Sequence, residues 1–164
     1  MSAAASRTPQ ETADRAAAIL WSNDRASRTL GIELEAVGPG RAVLAMTVGP
    51  DMTNGHDTAH GGFIFALADS AFAYACNSYG DATVAAQCSI TYVRPAQRGD
   101  RLIAVAREIS RSGRSGIYDV SVTHDGVTIA EFRGHSRTIG GSFIETATEA
   151  PQSDDKTKSL DWRK

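Results

Sequence analysis

HGGFIFALADSAFAYACNSYG, residues 60–80, sets the architecture of this chain. Phe63, Ile64, Phe65, Leu67, Phe72, Tyr74 and a run of alanines fall on every side of a helical turn. Alanine-rich composition favours helix over strand, and a helix that is apolar all round is buried. Gly80 stands where a helix commonly closes. The stretch therefore predicts one long buried helix from Gly61, needing cover on all its sides.

Upstream, Thr8-Pro9-Gln10-Glu11 has the form of a helix start: a capping hydroxyl, a proline at the first turn, and a glutamate three residues on. Ala16, Ala17, Ile19 and Leu20 continue an apolar stripe. Asn23-Asp24 ends this helix and caps a short second one that stops at Gly31. Residues 32–37 and 42–48 alternate as strands around the turn Gly38-Pro39-Gly40. Residues 49–60 have no period and form a polar connection.

Downstream, Val84, Ala86, Cys88, Ile90 and Tyr92 alternate on one strand face. Residues 102–109, 117–123 and 127–139 supply three more strands, the last two joined by the hairpin dipeptide Asp125-Gly126. The order is helix, two strands, buried helix, then four strands in a meander. An antiparallel sheet curled around the central helix would bury it, so the fold class is α+β. Residues 1–7 are expected to be a loose start, 8–141 one domain, and 142–164 a polar, disordered tail.

Composition narrows the function. The 164 residues carry a formal charge of −2, with 41% apolar and 22% charged residues. That excludes neither an enzyme nor a binding module, but nothing in it points to nucleic acid. No segment has the charge-free apolar length of a membrane span, and Met1 to Thr8 lacks the pattern of a signal peptide. Cys76 and Cys88 do not form a CxxC pair and are read as reduced thiols of a cytoplasmic protein. His56, His60, His124 and His135 offer no ligand spacing, so no metal is expected.

Asp69 is the one charged residue between Gly61 and Gly80. A buried carboxylate is costly unless it is paired or used. Two readings stand: a structural acid bonded to a neighbour, or a catalytic one. His60-Gly61-Gly62 opens the same helix. Free N–H groups and the dipole at a helix start favour negative charge, and glycines admit a ligand closely. Such a place suits a carbonyl oxygen becoming an oxyanion, although a Gly-Gly pair also serves as a plain turn. Asn54 either holds a water or carbonyl or shapes an Asn-Gly turn. His60 either orients the same group or caps the helix. Arg94, Arg98, Arg101, Arg111 and Arg114 lie near strand ends, as phosphate contacts or as solvated charges.

Gly62 and Asp69 are seven residues apart, about 10 Å along a helix. A carbonyl cannot comfortably touch both on one helix. If both act on it, they come from two chains related by a two-fold axis.

Asn54-Gly55-His56, then residues 60–69, then residues 71–78 closely resemble the PaaI-type thioesterases of phenylacetate degradation. Residues 90–95, Gly99-Asp100, residues 116–120 and Phe132-Arg133-Gly134 match the same pattern, so the resemblance spans about residues 20–141. It implies the hotdog fold, a homodimer with shared sites or a homotetramer, and hydrolysis of acyl-CoA, typically aryl-acetyl or ring-hydroxylated phenylacetyl-CoA. No cofactor is implied, since coenzyme A belongs to the substrate. By position, Asp69 matches the catalytic acid. The Gly61–Gly62 region supplies the backbone donor, with Gly62 N–H assigned to the oxyanion and Gly61 to substrate binding. Asn54 and His60 match residues holding thioester and water. No coenzyme contact is carried over by position; among the arginines, Arg94 and Arg114 are the candidate substrate contacts. Two rivals are an acyl-CoA hydratase on the same fold and a non-catalytic acyl-CoA-binding module.

Overall fold

A computed structural model describes residues 7–146. Helix α1 spans Pro9–Asn23 and α2 Arg25–Thr29. Strands β1 (Glu33–Gly38) and β2 (Arg41–Thr47) follow, then a 3₁₀ turn at Pro50–Met52 and helix α3, Gly61–Cys76. Strands β3 (Asp81–Tyr92), β4 (Arg101–Ser112), β5 (Ser115–His124) and β6 (Val127–Ser142) lead to a last helical turn, α4, Phe143–Thr146.

The helix starts form as their sequences dictate. Glu11 N–H donates to Thr8 Oγ1 at 3.2 Å, and Glu11 Oε2 accepts from Thr8 N–H at 2.7 Å, completing a reciprocal cap. Asp24 closes α1 and caps α2 by accepting from Ser27 N–H at 2.9 Å. The hairpin turns are also where expected. Asp125 and Gly126 both take positive φ, 47° and 76°, between paired His124 and Val127.

All six strands pair antiparallel in the order β1-β2-β4-β5-β6-β3. The last four strands are therefore not a simple meander. β4 pairs with β2, and β3 crosses to the far side of β6, because α3 and the chain after it carry β3 across the sheet. β3 also departs from strict alternation. A bulge between Ala85 and Gln87 inserts Ala86, so Cys88 and Ile90 pack on the core while Val84 is 43% exposed.

The sheet packs on one side of α3 only. Ile64, Leu67, Ala68, Ala71 and Phe72 are buried against Leu44, Met46, Leu102, Val120, Val122 and Phe132. The Phe72 ring sits 5.6 Å from Tyr118 and 5.8 Å from Phe132. The stripe of Gly62, Ala66, Asp69, Ser70 and Ala73 remains partly open. The curved sheet over one central helix is as expected, and its cover leaves this stripe partly exposed. Near its C-terminal end α3 is clasped by α1 and α2: Tyr74 O–H donates to Asp24 at 3.1 Å, and Ser27 and Ser70 hydroxyls lie 3.3 Å apart. α3 also stops before Gly80. Asn77 is its C-cap, and Gly80, with φ 84°, turns the chain into β3.

The chain past residue 141 was expected to be a disordered tail. Instead, Ser142 completes β6, and α4 packs on the body. Ile144 is buried against Gly80, Phe143 N–H donates to Gly80 O at 2.9 Å, and Arg15 Nε donates to Ile144 O at 3.1 Å. Residues 1–6 and 147–164 of the expected loose ends lie outside the described residues.

Candidate active site

The loop before α3 is tied down at both ends. Thr53 bridges Ala59, Thr58 bridges Gln97, and His60 N–H donates to Met52 O at 2.8 Å. Asn54 organises the turn between them. Its Oδ1 accepts from His56 N–H at 2.9 Å, from Thr58 N–H at 3.3 Å and from Thr58 Oγ1 at 3.2 Å. The carbonyl side of Asn54 thus has the turn-forming role. Its amide nitrogen has no partner among the described residues and remains a donor.

His60 caps α3. Its Nδ1 accepts from Gly62 N–H at 2.9 Å, which leaves the ring proton on Nε2. The cap has a consequence for the oxyanion donor. Gly62 N–H is engaged by the imidazole, whereas Gly61 N–H has no partner among the described residues. Of the two glycines, Gly61 is the one whose N–H is left free at the positive end of the helix.

Gly61 lines an open recess of about 420 Å³ with Asn54, Thr58, Ala59, Tyr92, Val93, Arg94 and Pro95. Tyr92 O–H donates to Gly61 O at 2.7 Å, and a Cβ on Gly61 would fall 2.8 Å from the tyrosine ring. A glycine is needed here because of this close approach, not because of a positive φ. Tyr92 was visible in the sequence only as an apolar strand residue; its hydroxyl was the unused signal. Arg94 reaches back to Thr128 O at 3.2 Å.

Two of the expected site residues lie elsewhere. Arg114 sits in the β4–β5 turn, its Nε donating to Thr138 O at 2.9 Å. Thr138 pairs with Thr83 near the start of β3, whereas Arg94 follows its end. Most of the twelve-residue β3 separates the two arginines, so one chain does not bring them to one ligand. Arg111 stacks 3.7 Å over the Tyr79 ring and pairs with Glu108, which commits it locally.

Asp69 does not line the recess that Gly61 shares. It projects from the open stripe of α3 toward β3, where Cys88 Sγ lies 3.8 Å from its Oδ1. Burial raises its pKa above the ordinary aspartate value, and the Cys88 hydrogen bond works against that rise. No group of three or more metal-ligating side chains occurs among the described residues.

Comparison with known proteins identifies the family. The model of the thioesterase superfamily matches residues 56–130, from the loop before α3 into β6. The acyl-coenzyme A thioesterase PaaI of Escherichia coli is 44% identical over 129 residues, 78% of this chain and 92% of that protein. The solved structure of the E. coli PaaI protein, from the phenylacetic acid degradation operon, superposes with a TM-score of 0.81 at 42% identity. It covers 82% of this chain and 99% of its own. A variant of the phenylacetic acid degradation protein PaaI from Thermus thermophilus gives a TM-score of 0.69 at 41% identity, covering 71% and 100%. With its curved antiparallel sheet packed over one long helix, this chain belongs to the thioesterase superfamily, as a hotdog-fold protein of the PaaI type.

Proposed function

We propose that this chain hydrolyses acyl-CoA thioesters, acting on aryl-acetyl and ring-hydroxylated phenylacetyl-CoA in phenylacetate catabolism in the cytoplasm. The observation that carries the reading is Asp69, a half-buried carboxylate on the open stripe of α3 whose pKa burial raises. The names of the relatives support the substrate class. Both cysteines are free, and no described helix is long and apolar enough to cross a membrane.

In the proposed reaction Asp69 takes a proton from water as the water oxygen bonds to the thioester carbon, or attacks that carbon itself to give a mixed anhydride that water hydrolyses after the thiolate has left. The carbonyl oxygen gains charge and is met by Gly61 N–H at the positive end of α3. The carbon–sulfur bond then breaks, and the thiolate of coenzyme A leaves and is protonated. Asn54 Nδ2 and His60 Nε2 are the remaining donors near the helix start, placed to hold the carbonyl or the water. No metal or cofactor is needed.

Gly61 and Asp69 are eight residues apart on α3, about 12 Å along its axis, and do not share a recess. We assign the complete site to two chains of a homodimer, with Gly61 from one and Asp69 from the other, and the dimers to a homotetramer. The sheet supports this: β3 ends the sheet as a twelve-residue strand, and its outer edge has no partner strand among the described residues. Such an edge is a ready template for pairing with a second copy.

Thiol release from a panel of aryl-acetyl and straight-chain acyl-CoA substrates tests the function. Hydrolysis with the highest kcat/KM on phenylacetyl and hydroxyphenylacetyl-CoA is expected. Release from none of the panel would overturn the activity; preference for long straight chains would overturn the pathway.

A further inference from the structure

Asp69 has one hydrogen-bond partner among the described residues, and it is the thiol of Cys88. The bond ties α3 to β3 at the acid itself. It depends on the β3 bulge: Cys88 points to the core because Ala86 is the inserted residue. The thiol stays protonated, pushed up to about 11 by burial and by the Asp69 carboxylate. At neutral pH it is therefore a donor, not a thiolate nucleophile. Its neighbour Cys76 is committed elsewhere, donating to Ala73 O at 3.5 Å and pushed up to about 12. Oδ2 of Asp69 has no partner, yet no buried side-chain oxygen among the described residues lacks one, so Oδ2 is open to solvent.

We propose that Cys88 is a positioning residue for Asp69: its S–H holds Oδ1 in place and leaves Oδ2 as the oxygen that meets water or the thioester. This rests on the function proposed above. The acid would otherwise rotate freely about its side-chain bonds on an open stripe, and a fixed orientation is what a reacting carboxylate needs. The titratable groups facing it are Cys88 from β3 and Cys76 from its own helix.

The test compares Cys88→Ala and Cys88→Ser, both checked for fold by circular dichroism, through kcat, KM and the pH profile of kcat/KM. Alanine should lower kcat about tenfold with KM nearly unchanged. It should also move the acid limb to higher pH, because the lost donor favoured the charged carboxylate. Serine returns an O–H donor and should recover most of kcat and the position of the limb. Wild-type kcat and an unmoved limb in the alanine variant would overturn the proposal. A serine variant as poor as alanine would overturn it too, since that pattern marks a thiol that packs or attacks. If the alanine variant does not fold, the serine variant decides alone: it must keep kcat within about threefold of wild type. Asp69→Asn, run alongside, separates the failures. An active Asp69→Asn removes the functional reading itself; an inactive one beside an unaffected Cys88→Ala removes only the positioning role.

Discussion

Asp69 combines two properties that a structural acid would not need together. It is held at one oxygen by a weak thiol donor, and burial disfavours its charge. A stabilising role would instead pair it with a cation, as Arg133 pairs with Asp119 at 2.6 Å and holds that carboxyl below its usual range. Asp69→Asn should keep the fold and lose ~10²–10⁴ in kcat, as expected for loss of a nucleophile or base. Near-normal turnover in a folded Asn variant would remove the assignment. In the proposed reaction the working form is the carboxylate, and burial raises its pKa. Activity should therefore climb with pH along an acid limb lying above the ordinary aspartate value, and a kcat/KM profile from acid to neutral pH measures it. A limb below that value would show that the acid titrating in catalysis is not this one. Asp69 and the His60-Gly61-Gly62 start were legible in the sequence, as a lone charge in an apolar run and a glycine pair before it. Which glycine is free to donate was not, because that depends on the rotamer of His60.

At the scale of elements, the close packing of α3 on the sheet accounts for one further glycine. Gly134 on β6 faces Phe72, and a Cβ there would fall 2.8 Å from three atoms of a ring that is only 1% exposed. The ring is hemmed in by Tyr118 and Phe132 and has no free direction to yield. Gly134→Ala should cost about 1–3 kcal/mol, read as a lower urea midpoint at unchanged slope. An unchanged midpoint would mean that α3 can shift away from β6 more easily than this packing implies. Local signals predicted each element well: the Thr8 cap, the shared Asp24 cap and the Asp125-Gly126 turn need only neighbours in sequence. The bulge in β3 and the crossing of β3 to β6 escaped, because both are fixed by partners about fifty residues away.

For the whole molecule, the decisive expectation is a site divided between chains. Two inactive variants test it: Asp69→Ala, and Gly61→Pro combined with Tyr92→Ala, which removes the free N–H at the first helical position together with the ring that a Cβ there would meet. The chain before it suits this change, since His60 already has extended backbone. Unfolded together and refolded, the chains pair at random and half the dimers are mixed. In a mixed dimer one site carries both lesions and the other neither. Activity should return to roughly a quarter of wild type for independent sites on a two-fold axis. If mixed dimers form, confirmed by mass, and no activity returns, each site lies within one chain.

Sequence alone determined the fold class, the central helix and the capped helix starts, and it supplied the candidate site residues, because these depend on periodicity and on contacts a few residues apart. Tertiary structure alone decided three things. The open stripe on α3 exists because the sheet curls past one side of the helix only. Arg94 and Arg114 are parted because the long β3 runs between them. Cys88 meets Asp69 because a bulge shifts the side chains of β3 by one residue. Each depends on how distant segments pack, and side-chain packing in three dimensions leaves no periodic trace in a single chain.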